Sequence, residues 1–331
     1  MKSRDTLLLT RAEVASLLTL DDCIAGVERA FWSHGLGEVP SPGVLSFPAR
    51  DGGFHMKAAS LALGRNYFAV KCNGNFFHNS ERYDMPRIQG LILLCDADNG
   101  FPLAVMDSIE ITILRTGAAT AVAAKYLARP DACVVTICGC GNQGRVQLRA
   151  LARVRRLAQV FAFDADFDCV TRYAEELSCE LNIPVTAVRE LARAVRQSSL
   201  CVTCTPSRSP LVMREDVGPG AFLAAVGADS AEKQELDPAL LAASTVVVDV
   251  LDQCAKIGEL HHAIEQGVMT RDAVHAELSE VIVGRKRGRS SPEETIIFDS
   301  TGTALQDVAA AAVAYERAIG TGTGVRLNLL G

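Results

Sequence analysis

The chain of 331 residues lacks the features that mark several large classes of protein. Its net charge is −6, from 33 basic and 39 acidic residues, so it has no excess of the basic residues that bind phosphates, and we expect no nucleic-acid partner. No apolar run approaches the length of about 18 residues that a membrane-spanning helix needs. The first residues also lack the apolar segment of a signal peptide. We therefore expect a cytoplasmic protein without a membrane association.

Internal repeats and low-complexity segments are missing too, and the 11 cysteines form no recognisable framework. An odd number of cysteines spread through apolar runs is untypical of a disulfide scaffold. Cys201 and Cys204 have the CxxC spacing, but no second pair or neighbouring histidine completes four zinc ligands. The sequence therefore predicts buried free thiols and no metal site.

Two regions differ in how their apolar residues are arranged. Residues 1–105 mix short helices and strands, and the turn-rich stretch 96–100 joins two apolar runs in a predicted hairpin. A long helix follows, for which Asp107 is the expected N-cap and Pro130 the stop. From Ala132 onwards strands and helices alternate, and most strands are apolar throughout, as strands covered on both faces should be. The pattern predicts an α/β fold with a doubly wound parallel sheet.

The strongest local signal is a GxGxxG motif that follows the apolar run 134–138 and opens a helix. Gly139 permits the tight turn, Gly141 lets the backbone approach a pyrophosphate, and Gly144 allows close packing of helix on strand. Asn142 and Gln143 belong to the same helix start, whose unpaired N–H groups attract a phosphate. The motif therefore predicts a dinucleotide site, and a glycine turn that binds no nucleotide is the alternative.

Asp164 ends the next predicted strand, where a carboxylate binds the ribose hydroxyls and repels a 2′-phosphate. No arginine follows in residues 165–168, so the sequence favours NAD over NADP. The predicted strands Leu200–Thr205 and Phe222–Gly227 end at the same crevice. Their ends add four cofactor residues to the prediction: Thr205, Pro206, Val226 and Gly227.

Cations of the first region form a candidate substrate site. His55, Lys57 and Lys71 alternate with apolar residues along predicted strands and can share a face, although edge lysines that point into water are the alternative. Arg115 interrupts an apolar helix face, which is costly unless it pairs with an anion. Asp229 follows a parallel strand and is the candidate acid–base carboxylate, with a surface turn residue as the alternative.

At these residues the chain resembles the ornithine cyclodeaminase/mu-crystallin family, nearly from end to end. The similar stretches are residues 101–108, 114–119, 123–127, the glycine motif, 226–237, 258–259 and 297–307. The resemblance implies a Rossmann domain that binds NAD, residues 123–302, inserted into a split α+β domain. That split domain, residues 1–122 and 303–331, would bind the substrate and form a homodimer.

The resemblance also implies an activity. It is that of an NAD(H)-dependent oxidoreductase that acts on the imine or amine of a small α-amino acid, with hydride transfer at the α-carbon. Lys71 and Arg115 match residues that bind the substrate carboxylate, and Lys71 is also assigned to catalysis. Arg115 is further assigned to the cofactor site, beside Thr116, which matches a residue next to the cofactor phosphates. Asp229 matches the aspartate that transfers a proton.

One departure from the family pattern bears on the substrate. Ornithine cyclodeaminases carry a glutamate in the first strand that binds the distal amine, and residues 43–47 contain no acid. His55 and Lys57 bring positive charge from the next strand instead, which disfavours ornithine and hints at a second carboxylate on the substrate. The alternatives are a cyclodeaminase-type lyase that releases ammonia with catalytic NAD, and a nucleotide-bound binding protein like mu-crystallin.

Overall fold

The computed structural model describes residues 5–329 and separates into two compact units. One unit takes the chain up to Arg115 and again from Thr303 onwards, and the other is Thr116–Gly302. The division falls inside the helix Ile109–Leu127, after Arg115, whereas the sequence predicts a limit after residue 122. Among residues 5–329 we find no helix whose length and apolar character suit a membrane crossing.

The elements up to residue 127 mix strands and helices, and their bounds are β1 Thr6–Leu9, α1 Arg11–Leu17, α2 Leu20–Leu36, β2 Gly43–Ala49, β3 Gly52–Ala62, β4 Asn66–Asn75, α3 Asn79–Arg82, β5 Ile88–Asp96, β6 Pro102–Asp107 and α4 Ile109–Leu127. The second unit continues with β7 Val134–Cys138, α5 Asn142–Val154, β8 Gln159–Phe163, α6 Phe167–Leu181, β9 Val185–Ala187, α7 Leu191–Arg196, β10 Leu200–Thr203, β11 Arg208–Val212, β12 Phe222–Ala225, β13 Gln234–Leu236, α8 Pro238–Ala242, β14 Thr245–Val248, α9 Leu251–Ile257, α10 Glu259–Glu265, β15 Ala276–Glu277, α11 Leu278–Ile282 and β16 Ile296–Asp299. The chain then adds α12 Ala304–Thr321 and β17 Val325–Leu327.

The first unit is a largely antiparallel sheet in the order β17-β1-β6-β5-β4-β3-β2, with α2 and α12 packed together and α12 packed on β3 and β4. Side chains alternate between the two faces of β4, and Tyr67, Ala69 and Lys71 lie on the buried face. The predicted hairpin is β5 and β6, joined by a turn in which Gly100 has a φ of +77°. Helix α2 is capped by Thr19, whose hydroxyl accepts from the N–H of Asp22.

The second unit is the predicted doubly wound sheet, and every pair of neighbouring strands in it is parallel. Its order is β15-β14-β16-β12-β10-β7-β8-β9, so β7, which precedes the glycine motif, lies in the interior. The strands β10, β12 and β16 are buried along their whole length, as expected for strands covered on both faces. The fold class predicted from the sequence is confirmed.

The predicted strands Leu200–Thr205 and Phe222–Gly227 are too long at their carboxyl ends. β10 ends at Thr203 rather than Thr205, and β12 ends at Ala225 rather than Gly227. The cause is the buried carboxylate of Glu235, which accepts from the N–H of Thr205 at 2.5 Å and from the N–H of Gly227 at 2.8 Å. Because these two N–H groups donate to a side chain, they are lost to the hydrogen bonds between strands. The chain at Thr205 and at Gly227 therefore forms loops at the edge of the sheet.

All 11 cysteines are free thiols. Burial raises the pKa of Cys201 to about 12, so this thiol stays protonated and behaves as a small apolar side chain. Cys138, at the end of the neighbouring strand β7, is buried in the same core. The prediction of buried thiols is confirmed for five of the 11 cysteines; five more are partly buried, and the prediction is wrong for Cys179, which is exposed on α6.

Candidate functional site

The loop between β7 and α5 has the shape of a phosphate cradle. Gly139 has a φ of +105°, which disfavours any side chain, and a Cβ on Gly144 would lie 2.0 Å from the carbonyl oxygen of Gly139. A Cβ on Gly141 would instead meet no atom within 4 Å, so open space lies over the residue that begins the helix. Gly141 provides no side-chain cap, and its neighbour Asn142 is exposed. The loop therefore offers backbone N–H groups to a ligand in the open space.

Asp164 directly follows β8 and lies beside this loop. Its carboxylate accepts from the N–H of Cys140 at 2.8 Å and from the N–H of Asp166 at 3.2 Å. Each carboxylate oxygen can accept a further hydrogen bond, so the group is oriented and still able to bind a hydroxyl. Gln143 is partly buried on the first turn of α5, with its Oε1 lacking a hydrogen-bond partner among the described residues.

The loops after β10 and β12 are held at the same edge of the sheet by Glu235. Besides its two backbone bonds, this carboxylate accepts from the hydroxyl of Thr205 at 2.7 Å. Burial raises the pKa of Glu235, and the hydrogen bonds from Thr205 and Gly227 oppose that shift. A Cβ on Gly139 would lie 3.1 Å from the methyl carbon of Thr205, which places the β10 loop against the glycine loop. Pro206 continues the first of these loops and Val226 begins the second.

Asp229 lies two residues beyond Gly227 and forms an ion pair with Lys233. The Asp229 carboxylate accepts from the Lys233 ammonium at 2.6 Å, and the two side chains are 46% and 20% exposed. Asp229 is therefore an accessible carboxylate at the carboxyl edge of the parallel sheet, on the loop that follows a central strand. A carboxylate in such a place suits proton exchange with a ligand.

The first unit holds a buried cluster of charges. Asp307 on α12 lies 2.8 Å from the ammonium of Lys71 and accepts from Nε of Arg115 at 3.0 Å. Arg115 also donates to Oε1 of Gln306 at 2.9 Å. Lys57 stands directly opposite Lys71 in the register of β3 and β4, so it projects from the same face of the sheet.

Positive charge exceeds negative charge in this cluster. Burial lowers the pKa of Lys71 to about 7; Asp307 opposes the shift, and Arg115 and Lys57 add to it. Burial alone would raise the pKa of Asp307, but Lys71 and Arg115 hold it below its ordinary value. Three cations thus act on one another around one carboxylate, an arrangement that a bound anion stabilises.

A polar row lies one step further along the same face. His55 is opposite Asn73 in the register, and its Nδ1 lies 3.1 Å from the hydroxyl of Ser46. Ser108 donates to Oδ1 of Asn73 at 2.6 Å. Since none of these side chains is an acid, the row suits a neutral or negatively charged part of a ligand.

The predicted site residues thus form two groups, each within its own unit. His55, Lys57, Lys71 and Arg115 belong to the first unit, whereas the predicted cofactor residues from Thr116 to Gly227, together with Asp229, belong to the second. Thr116 itself is buried on α4.

Sequence reasoning missed three charged residues of these groups: Asp307, Lys233 and Glu235. Asp307 had a signal, because it is an acid in the apolar, alanine-rich stretch 304–314 of the final helix. Glu235 had no such signal, because only the structure shows that the strand β13 around it is fully buried. Lys233 had none, because a lysine four residues after an aspartate is ordinary in a surface loop.

Comparison with known proteins gives a consistent picture. The model of the ornithine cyclodeaminase/mu-crystallin family matches residues 4–322. The chain is 39% identical to the alanine dehydrogenase of Archaeoglobus fulgidus over 324 residues, which is 98% of each chain. It is also similar to the solved structure of an archaeal alanine dehydrogenase dimer with bound NAD, with a TM-score of 0.94 and 38% identity over 98% of this chain and 100% of that one. The Thermococcus litoralis Δ1-pyrroline-2-carboxylate reductase, solved with NADH and L-proline, gives a TM-score of 0.92 and 32% identity over 97% of this chain and 100% of that one.

Proposed function

The chain belongs to the ornithine cyclodeaminase/mu-crystallin family, and from that premise we propose that it is an NAD(H)-dependent oxidoreductase of small α-amino acids. It interconverts the amine and the imine at the α-carbon, as an imine reductase or amino-acid dehydrogenase. The observation that carries the proposal is the pair of buried cations, Lys71 and Arg115, on the single carboxylate of Asp307, with the partly buried Lys57 opposite Lys71 on the same face of the sheet. The excess positive charge of this group suits the carboxylate of such a substrate.

The glycine loop fits the cofactor. Open space over Gly141, the positive φ of Gly139 and the close packing at Gly144 are what a bound pyrophosphate requires. The carboxylate of Asp164, oriented by the N–H of Cys140, can still accept from ribose hydroxyls, and this supports NAD over its 2′-phosphorylated form. We assign the rest of the cofactor site to the residues expected from the sequence, namely Arg115, Thr116, Asn142, Gln143, Thr205, Pro206, Val226 and Gly227.

Each remaining residue has a part in the reaction. Lys71 and Arg115 hold the substrate carboxylate, and His55 and Lys57 face the rest of the substrate. NAD supplies the group that accepts or donates the hydride. In the oxidative direction Asp229 accepts the proton that the substrate ammonium releases as its α-carbon is oxidised, and in the reductive direction Asp229 returns that proton. The oriented cations also fix the substrate, which lowers the entropic cost of the reaction.

A homodimer is a further part of the proposal. Apolar side chains stand exposed on one face of the first sheet: Leu45 is 59%, Phe47 52% and Leu91 55% exposed. A cavity of about 770 Å³ opens on the same face beside Phe54 and Leu91, and neither Lys71 nor Arg115 lines it. A contiguous apolar surface of this kind is typical of a protein interface. We therefore assign it to contact between two copies rather than to substrate binding, and light scattering at micromolar concentration tests this assignment.

We place the protein in the cytoplasm, where its many free thiols stay reduced. We also propose the domain functions expected from the sequence. Residues 1–122 and 303–331 bind the substrate and form the dimer, and residues 123–302 bind NAD.

The test is the absorbance of NADH in the presence of purified protein and a panel of substrates. The panel contains cyclic ketimines, and α-keto acids, including a dicarboxylic one, with ammonia or methylamine. Loss of NADH with one imine would establish the reductase and name its substrate class. Ammonia release from ornithine or lysine without a net change in NADH would identify a cyclodeaminase. No turnover with NADH still bound would identify a binding protein.

Variants separate the roles. Asp229→Asn is expected to bind NADH as the wild type does and to lose most turnover. Ser209→Ala, which changes an exposed residue on β11, is the matched control and is expected to retain full turnover. Full turnover in Asp229→Asn would refute the proton-transfer role.

A further inference from the structure

The backbone around Lys233 is held by several hydrogen bonds. Its N–H donates to the carbonyl of Ser230 at 3.0 Å, and its own carbonyl accepts from Nε2 of His262 on α10 at 2.8 Å. The next residue, Gln234, donates its N–H to the carbonyl of Ser207 at 2.9 Å. The backbone at Lys233 is thus bound on both sides, and the ammonium extends from a fixed point.

Buried carboxylates continue this support into the sheet. Glu235 binds the loops after β10 and β12, as described above. Glu259 on α10 accepts from the N–H groups of Glu235 at 2.7 Å and of Leu236 at 3.1 Å. Asp299 accepts from the N–H of Leu260 at 2.9 Å. Lys233 therefore begins a segment that is tied to the core, whereas Asp229 lies in the exposed part of the loop.

The other charged groups around this loop are engaged elsewhere. Glu232 pairs with Arg208 at 2.8 Å, and both side chains are more than 60% exposed. Glu235 is buried and faces Thr205 and Gly227. His262 is taken up by the Lys233 carbonyl, and its neighbour His261 lies 3.4 Å from Glu265. The Lys233 ammonium is in direct contact with the Asp229 carboxylate, at 2.6 Å.

We propose that Lys233 is a positioning residue for the reaction, which orients the Asp229 carboxylate and favours its ionised form. The inference rests on the proposed function, in which Asp229 exchanges a proton with the substrate nitrogen. An adjacent ammonium stabilises a carboxylate by charge and by hydrogen bonding. The base that accepts the proton is then the pair of Asp229 and Lys233. Lys233 is held by the core, and Asp229 contacts the substrate.

The first experiment is the pH dependence of kcat/KM for amino-acid oxidation by NAD. In Lys233→Met the acid limb, where Asp229 becomes protonated, is expected to move to higher pH by about half a unit, a shift typical of losing a half-exposed ion pair. Lys233→Arg is expected to restore the wild-type limb. Arg208→Met, which breaks the neighbouring pair with Glu232, is the matched control and is expected to leave the limb in place. A loss of kcat in Lys233→Met with an unmoved limb and no rescue by arginine would overturn the proposal.

The second experiment needs no turnover, so it separates this inference from the proposed function. A water-soluble carbodiimide activates a carboxylate, an amine in contact displaces it, and the product is an amide while the carbodiimide takes up the lost water as a urea. The 2.6 Å contact predicts an amide between Asp229 and Lys233, which blocks tryptic cleavage after Lys233 and makes the peptide lighter by one water. If the wild-type protein turns over no substrate, the proposed function is wrong. The cross-link then still shows whether the Asp229 carboxylate and the Lys233 ammonium are in contact. Absence of the cross-link would contradict the pairing.

Discussion

Asparagine in place of Asp307 removes the carboxylate that Lys71 and Arg115 share. The side chain is 2% exposed and lies within 3.0 Å of both cations, so neither water nor a rearranged surface group replaces it. Removing one partner of a buried ion pair leaves the other charge uncompensated and costs about 3–5 kcal/mol. We therefore expect the free energy of unfolding to fall by roughly this amount, with α12 still able to form because asparagine keeps the shape of the side chain.

The loss should depend on pH through Lys71. Burial lowers the pKa of Lys71 to about 7 from the ordinary value of 10.5. Between these values the folded chain binds fewer protons than the unfolded chain, so the free energy of unfolding rises with pH. The burial of Lys71 therefore destabilises the fold most below pH 7. Asp307 raises the pKa of Lys71, so removing Asp307 lowers this pKa further. The pH range in which the free energy of unfolding rises with pH then extends below pH 7. Asp307→Asn should therefore lose more stability at pH 6 than at pH 9, where Lys71 is largely neutral with or without Asp307.

Urea unfolding followed by far-ultraviolet circular dichroism measures the effect. The matched control is Arg317→Met on the same helix, because Arg317 pairs with Asp22 at 2.6 Å while its side chain is 43% exposed. A pair so exposed is worth less than about 1 kcal/mol. If Asp307→Asn were no less stable than Arg317→Met, the account of a buried cluster with excess positive charge would be wrong.

Further predictions concern the second unit. Gly141→Val should fold normally but weaken NADH binding more than tenfold in a fluorescence titration, because its side chain fills the open space over the loop, whereas Gly144→Ala should lower the unfolding midpoint, because its Cβ meets the Gly139 carbonyl. Burial raises the pKa of Asp299 to about 7 from 3.8, so between these values the folded chain binds more protons than the unfolded chain and stability falls as the pH rises. Asp299→Asn should make this fall smaller in urea titrations from pH 4 to pH 7. An unchanged dependence of stability on pH would contradict the shift in pKa. Asp164→Ala should reduce the preference for NAD over NADP in paired binding titrations, and an equal ratio in both proteins would contradict the role of that carboxylate.

Local patterns made the nucleotide-binding unit predictable. A buried strand, three glycines at fixed spacing and an acid at the next strand end all lie within about thirty residues, so their geometry is decided by the chain nearby. Gly139 and Gly144 have the backbone conformation and the close approach that the motif predicts. The strand ends were less predictable, because Glu235 draws Thr205 and Gly227 out of the ladder from a distance of 30 residues for Thr205.

The substrate side was predictable only in part, because its partners are distant in the sequence. Arg115 was identified as a cation in need of an anion, but Asp307 lies 192 residues away on the final helix. Spacing cannot reveal such a pair, although the acid among alanines is a usable signal. Lys57 and Lys71 share a face because β3 and β4 form a hairpin in this register, which alternation along each strand had left open.

The most direct test of the central claim is the transfer of a labelled hydride. NADH carrying deuterium at C4 is incubated with the protein and the imine that consumes NADH in the panel, and the amino-acid product is analysed by mass spectrometry. The account predicts one deuterium at the α-carbon when the transferred side of the nicotinamide carries the label. In Asp229→Asn much less product should form, and the product that does form should carry the same label. A product without deuterium at the α-carbon from either labelled side would contradict the proposed reaction.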